Sequence, residues 1–252
     1  MVGFEEKNDG LAIYRSSTGS SRLQVVLIHG AVDRAAGMIR VARKIDDCEV
    51  VRYDRRGYGR SASIGQPFSF EQHVDDLELV IADRPTVLFG HSYGGSIALA
   101  AASRGNPSVC AAVSYEAPRT WETWWPPPPG DDIDPGDAAE HFVRRMIGQE
   151  RWQALPANSR VKLRSQGALM VHELNTQTTQ RYRIEEAKVP LIIGVGALSG
   201  DHAQRAAEAF RQEANKGRVA QLSGARHDAP MSHPEQIAGL VEEALRDNPE
   251  QV

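Results

Sequence analysis

An α/β fold, with a mostly parallel central sheet and helices on both faces, is predicted by three observations. Short β-like runs alternate with helix-like stretches on either side of residues 117–186. The apolar run Thr86-Val87-Leu88-Phe89 ends in the small-residue turn Gly90-His91-Ser92-Tyr93-Gly94, and a helix-like segment, Ser96 to Ala102, follows. The rhythm stops after Glu116 and resumes at Val189, so the stretch between reads as an insertion, not as a separate domain. Strands that alternate with helices pair in parallel and are covered on both faces.

The elements follow in order. Leu11 to Tyr14 is expected as an antiparallel edge. Arg22 to Ile28 reads as a strand ending at His29-Gly30, Asp33 to Ile45 as a helix, and Glu49 to Tyr53 as a strand ending at Asp54. Phe70 to Ala82 reads as a helix with Val74, Leu77, Val80 and Ile81 on one face. Cys110 to Tyr115 is the strand after the Ser92 helix. The insertion holds Trp121, Trp124 and Trp125, four prolines at 126–129, an acidic turn from Gly130 to Asp137, and helix-like segments at 138–149 and 158–173. Proline cannot donate to a sheet and favours extended, solvated backbone, so the run is expected as a stiff surface loop. Val189 to Val195 and Arg218 to Leu222 read as strands, Asp201 to Ala214 and Pro234 to Leu245 as helices.

Bulk properties narrow the function. The 252 residues suffice for one large core, with 41% hydrophobic and 25% charged residues. A net charge of −4 gives no general attraction to nucleic acid or anionic membrane. The two cysteines, Cys48 and Cys110, lie outside any C-x-x-C pair and read as buried thiols in a reducing compartment. The polar start of the chain has no apolar signal region, and no apolar run reaches spanning length. The expectation is a cytoplasmic protein acting on a small molecule, with no nucleic-acid or membrane partner.

Chemistry concentrates at Ser92. A G-x-S-x-G between a strand and a helix is a nucleophile elbow, in which the hydroxyl stands clear of the sheet at a helix N-terminus that favours developing negative charge. Acyl transfer also needs a base, a group that orients the base, and oxyanion donors. Of eight histidines, His227 alone has both a loop position after the last strand and a place after the nucleophile in chain order. His29 and His91 flank glycine turns and are expected to bond locally; His73, His141, His172 and His202 are expected on partly exposed helices. The oxyanion donors are expected to be the N–H groups of Tyr93 and Ala31.

Over nearly its whole length the chain resembles the α/β-hydrolase-fold proteins. The matching pieces are Ile28-His29-Gly30, Asp54-Arg55-Arg56-Gly57-Tyr58-Gly59-Arg60-Ser61, Gly90 to Gly95, and Gly224 to His227 with Pro234 downstream. The resemblance implies an α/β-hydrolase core over residues 1–116 and 187–252 and a cap over 117–186. It implies a structural role for the Asp54 to Ser61 turn, and it separates this serine protein from relatives with an aspartate nucleophile.

The orienting acid departs from the family pattern. The family commonly carries it two residues after the glycine ending the penultimate strand, where this chain has Leu198. Two carboxylates are available: Glu116, at the end of the strand after the elbow helix, is favoured, and Asp201 is the alternative, also readable as a helix N-cap. Asp228 adjoins the base and is a poor candidate. A Ser–His dyad is a further possibility.

The expected activity is hydrolysis of small carboxylic esters without cofactor or metal. The same triad serves lactones, thioesters and carbon–carbon bonds, and a fold that binds without reacting is the competing class. Val32, Trp121, Trp124 and Trp125 are candidate pocket residues; tryptophans that pack the insertion onto the core are the other reading.

Overall fold

The computed structural model describes residues 5–19, 22–130, 132–179 and 181–247. The strands are β1 (Glu5–Asn8), β2 (Leu11–Ser17), β3 (Gln24–Ile28), β4 (Glu49–Tyr53), β5 (Thr86–His91), β6 (Val109–Tyr115), β7 (Leu191–Gly196) and β8 (Gly217–Leu222). They form one sheet in the order β1-β2-β4-β3-β5-β6-β7-β8. Strands β3 to β8 pair in parallel, while β2 is antiparallel to both β1 and β4. The Leu11 segment is therefore antiparallel as expected, but β1 lies outside it as the edge. The polar run Glu5-Glu6-Lys7-Asn8 carries no apolar alternation, and backbone pairing alone makes it a strand.

Helices α1 (Ile39–Ala42), α2 (Phe70–Ile81) and α3 (Tyr93–Arg104) belong to the first half. Helices α4 (Pro135–Ile147), α5 (Gln149–Ala154), α6 (Ala157–Ser165) and α7 (Gly167–Thr178) lie between β6 and β7, and α8 (Asp201–Glu213), α9 (Ala229–Ser232) and α10 (Pro234–Arg246) complete the chain. Alternation along β3 builds two cores. Val26 and Ile28 pack with α2, α3 and α8, whereas Val25 and Leu27 pack with α1 and α10. The insertion has a small core of its own, Ala138, Ala139, Val143, Trp152 and Met170, which Val32 joins from the body.

The helix expected over Asp33 to Ile45 is shorter. Ala35–Met38 is a 3-10 turn, and only Ile39–Ala42 is α-helical. The Ala35 N–H donates to Asp54 at 2.8 Å and its carbonyl accepts from Arg52, so β4 fixes this turn from outside. Gly37 further weakens helix propensity. Both cysteines are buried and neither forms a disulfide among the described residues, and among those residues no helix is long and apolar enough to cross a membrane.

The strand order places the site. β4 lies on one side of β3 and β5 on the other, so the winding direction reverses between them. In open α/β sheets ligands bind beyond the carboxyl ends of strands at such a reversal. Those ends here lead into Gly30-Ala31 and Ser92.

Candidate active site

Ser92 joins β5 to α3 with φ 55° and ψ −121°, a left-handed conformation that costs a non-glycine residue of order 1–3 kcal/mol. The surroundings hold it there. Its N–H donates to the Tyr115 carbonyl on β6 at 2.8 Å. A Cβ at Gly94 would stand 2.4 Å from the Ile28 carbonyl oxygen, and one at Gly90 would stand 2.1 Å from that of Gly94. Only glycine at both positions lets β3, the turn and α3 close around Ser92.

Tyr93 is the first residue of α3, so its N–H is one of the four without an intrahelical acceptor. Ala31 follows β3 in a turn where Val32 has φ 54°. Ala31, Ser92, Tyr93, Glu116 and His227 all line one cavity of about 490 Å³.

His227 lies between β8 and α9, after Gly224 at φ 68°. Three bonds fix its loop. The Tyr115 hydroxyl donates to the Arg226 carbonyl at 2.8 Å, Arg226 Nη1 donates to the Leu198 carbonyl at 2.9 Å, and His91 Nε2 donates to the His227 carbonyl at 2.8 Å. The His227 ring then donates from Nδ1 to Glu116 Oε2 at 2.8 Å. That bond fixes the tautomer and leaves Nε2 as the ring's acceptor.

Glu116 ends β6 with φ 49°. Oε1 accepts from the Gly196 N–H at 3.0 Å and from the Ser199 hydroxyl. Burial raises its pKa, but the bonds from His227, Ser199 and Gly196 outweigh burial and hold the carboxyl down to about 2. It is ionised at neutral pH. His91, with its ring centroid 4.7 Å from that of His227, is pushed down to about 3 by burial and by the neighbouring imidazole. It stays neutral and adds no charge beside the His227 ring.

The two candidate acids separate here. Asp201 is the first residue of α8, with Gly200 rather than Asp201 at the N-cap. Among the described residues it makes no hydrogen bond to His227. Asp228 pairs instead with Arg151 of α5 at 2.6 Å. Leu198 is half-exposed and donates its N–H to the Ala225 carbonyl. Ser199 and the Gly196 N–H, which the sequence did not mark, complete the Glu116 site from that loop. A hydroxyl after a leucine carries no recognisable signal.

The tryptophans divide. Trp125 and the four prolines line the cavity. Trp121 does not: it packs edge-on against Tyr182 and Phe210 on the core side. Trp124 contacts Trp125 and lies beneath Arg205, at 4.3 Å, outside the lining. A second lobe of about 430 Å³ shares Ala31, Ser92, Phe142, Met146 and His227 with the first and includes Val32. His73, expected on a partly exposed face, is instead buried, because Glu173 reaches it from the insertion at 2.7 Å.

A model of the alpha/beta hydrolase family matches residues 25–240. The chain belongs to that family. It is 29% identical over 97 residues to Lipase LipV of Mycobacterium tuberculosis (strain ATCC 25618 / H37Rv), over 37% of either chain. It is 30% identical over 118 residues to the non-heme haloperoxidase of Rhodococcus erythropolis, over 44% of this chain and 42% of that one. Each match spans about two fifths of the relative's length. The crystal structure of a bromoperoxidase from Bacillus anthracis superimposes with a TM-score of 0.75 at 18% identity, covering 94% of this chain and 96% of that one. At that identity the likeness concerns the fold. This alpha/beta hydrolase shares its fold with that bromoperoxidase.

Proposed function

We propose that the protein hydrolyses small carboxylic esters through an acyl-enzyme on Ser92. The hydrogen bond from His227 Nδ1 to Glu116, at the wall of the cavity that Ser92 also lines, is the observation that carries this reading. An ionised carboxylate there orients the imidazole and stabilises the imidazolium that forms when a proton arrives.

In the proposed reaction His227 Nε2 takes the Ser92 proton as Oγ attacks the acyl carbon. The N–H groups of Ala31 and Tyr93 receive the oxyanion; each such donor is worth about 3 kcal/mol in related systems. The imidazolium then protonates the departing alcohol. Water, deprotonated by the same imidazole, attacks the acyl-enzyme and releases the acid. Residues 117–186 act as the cap: Trp125 and the proline run form one wall, and Phe142 stands between the two lobes where acyl and alcohol parts diverge. The name lipase of the mycobacterial relative agrees with ester chemistry.

A fluorophosphonate tests the reading. It is expected to label Ser92 stoichiometrically, with labelling lost in Ser92→Ala and reduced at least about 1000-fold in rate in His227→Ala. A folded wild-type protein that stays unlabelled and leaves p-nitrophenyl acetate intact overturns it.

A further inference from the structure

A buried chain of contacts runs from the insertion to both sides of Ala31. Glu173, on α7, and Arg55, in the turn after β4, are each 0% exposed. Arg55 donates to Glu173 through Nη1 at 2.5 Å and Nη2 at 3.2 Å, and the Tyr58 hydroxyl donates to the same carboxylate at 2.7 Å. The contacts then continue past the pair. Arg55 Nε donates to the His29 carbonyl and Nη2 to the Gly30 carbonyl, both at 3.0 Å. The Val32 N–H donates to the Tyr58 hydroxyl at 3.3 Å. The Arg55 guanidinium also lies 4.8 Å from the centre of the Tyr93 ring. Ala31 is thus bracketed by fixed peptide groups, and Tyr93 is held by the same cation.

An ion pair this deep adds little net stability, because desolvation offsets the attraction. What it does supply is geometry. Oxyanion donors act only when they point at the place where the charge will develop, within about 2.7–3.1 Å.

We propose that Glu173 is a positioning residue for the oxyanion hole: through Arg55 and Tyr58, the insertion sets where the Ala31 and Tyr93 N–H groups point. The inference rests on the acyl-enzyme reading above. It makes the insertion part of the catalytic assembly, not only a cover over the pocket.

Three variants test it: Glu173→Gln, the double variant Arg55→Met/Glu173→Leu, which exchanges the pair for apolar groups of similar bulk, and Tyr58→Phe, which removes one hydroxyl and is the least disruptive to folding. For each, the fraction of molecules that a fluorophosphonate labels at completion is measured, and kcat on p-nitrophenyl acetate is expressed per labelled site. The expected result is a kcat per site lowered about 10- to 100-fold in the first two and about 3- to 10-fold in Tyr58→Phe, with KM and the midpoint of the pH profile unchanged. A role in folding alone lowers the labelled fraction and leaves kcat per site at the wild-type value. That outcome in Tyr58→Phe and in either other variant overturns the proposal. Failure of the acyl-enzyme reading is seen separately, as a wild-type protein that does not label.

Discussion

The His227 imidazole and the Glu116 carboxylate meet at 2.8 Å across 111 residues of sequence, beyond the carboxyl ends of β6 and β8, with β7 between those strands. The carboxylate reaches this point because Glu116 directly follows β6, just before the insertion, and β7 delivers a backbone N–H to its other oxygen. Glu116→Gln keeps the shape and removes the charge. It is expected to lower kcat/KM on a p-nitrophenyl ester by about 100- to 10,000-fold, with the far-ultraviolet spectrum unchanged. Asp201→Asn is expected to stay within about 2-fold of wild type, since it lies at the start of α8 and the His227 Nδ1 bond goes to Glu116 instead. The opposite ranking of the two variants removes Glu116 from the mechanism.

Acid should weaken the fold through these carboxylates. Glu116 and Glu173 are both held down to about 2, from an ordinary value of 4.5. For Glu173 burial again opposes, and Arg55 with His73 prevails. A depressed pKa contributes stability above the unfolded value and loses it as pH falls towards the folded value. The loss therefore runs from about pH 4.5 down to about pH 2, and reaches at most roughly 3 kcal/mol per group. Urea midpoints measured at pH 7, 4 and 3 are expected to fall steeply over this span. In Glu116→Gln part of that fall should be missing; an unchanged slope argues against the assignment.

The elbow was legible because close packing leaves few residue types that fit. Gly94→Ala puts a methyl carbon 2.4 Å from the Ile28 carbonyl oxygen, a contact that backbone must move to relieve. Overpacking of this kind costs about 3 kcal/mol, or roughly 6–12 °C in Tm for a chain of this size. Calorimetry checks the shift. A variant that melts within 2–3 °C of wild type shows that the turn can relax.

The tryptophans give opposite expectations. Trp125→Ala opens the wall beside the prolines, so KM for a bulky acyl ester should rise about 10-fold while acetate ester turnover stays within about 3-fold. Trp121→Ala removes the ring packed on Tyr182 and Phe210, and should cost about 3 kcal/mol in urea unfolding with little change in selectivity. A steady-state series from acetate to benzoate esters separates the two.

The residues themselves explain which features could be read in advance. Ser92, Ala31, Tyr93 and His227 sit where strands end, and strand ends are marked by apolar runs followed by glycine. Glu116 was visible for the same reason, as the last residue before Ala117-Pro118. The two acids could not be ranked further, because a side chain's partner across 111 residues is set by register across β6, β7 and β8. The Arg55–Glu173 pair was out of reach on the same ground, being 118 residues apart. Three neighbouring tryptophans look alike in sequence; only the course of the loop decides that one faces the cavity and another the core. The β1 strand escaped notice because polar residues paired through backbone leave no apolar period.

With Glu116 as the proposed acid, the connector 197–200 carries no proposed catalytic carboxylate. The Leu198 side chain is half-exposed there, and the connector contributes the Ser199 hydroxyl to Glu116 and the Leu198 main chain to the His227 loop. Side-chain identity at position 198, unlike that at Ser199, is therefore open to redesign. The Leu198 side chain offers a place to attach a tether or reporter beside the candidate site.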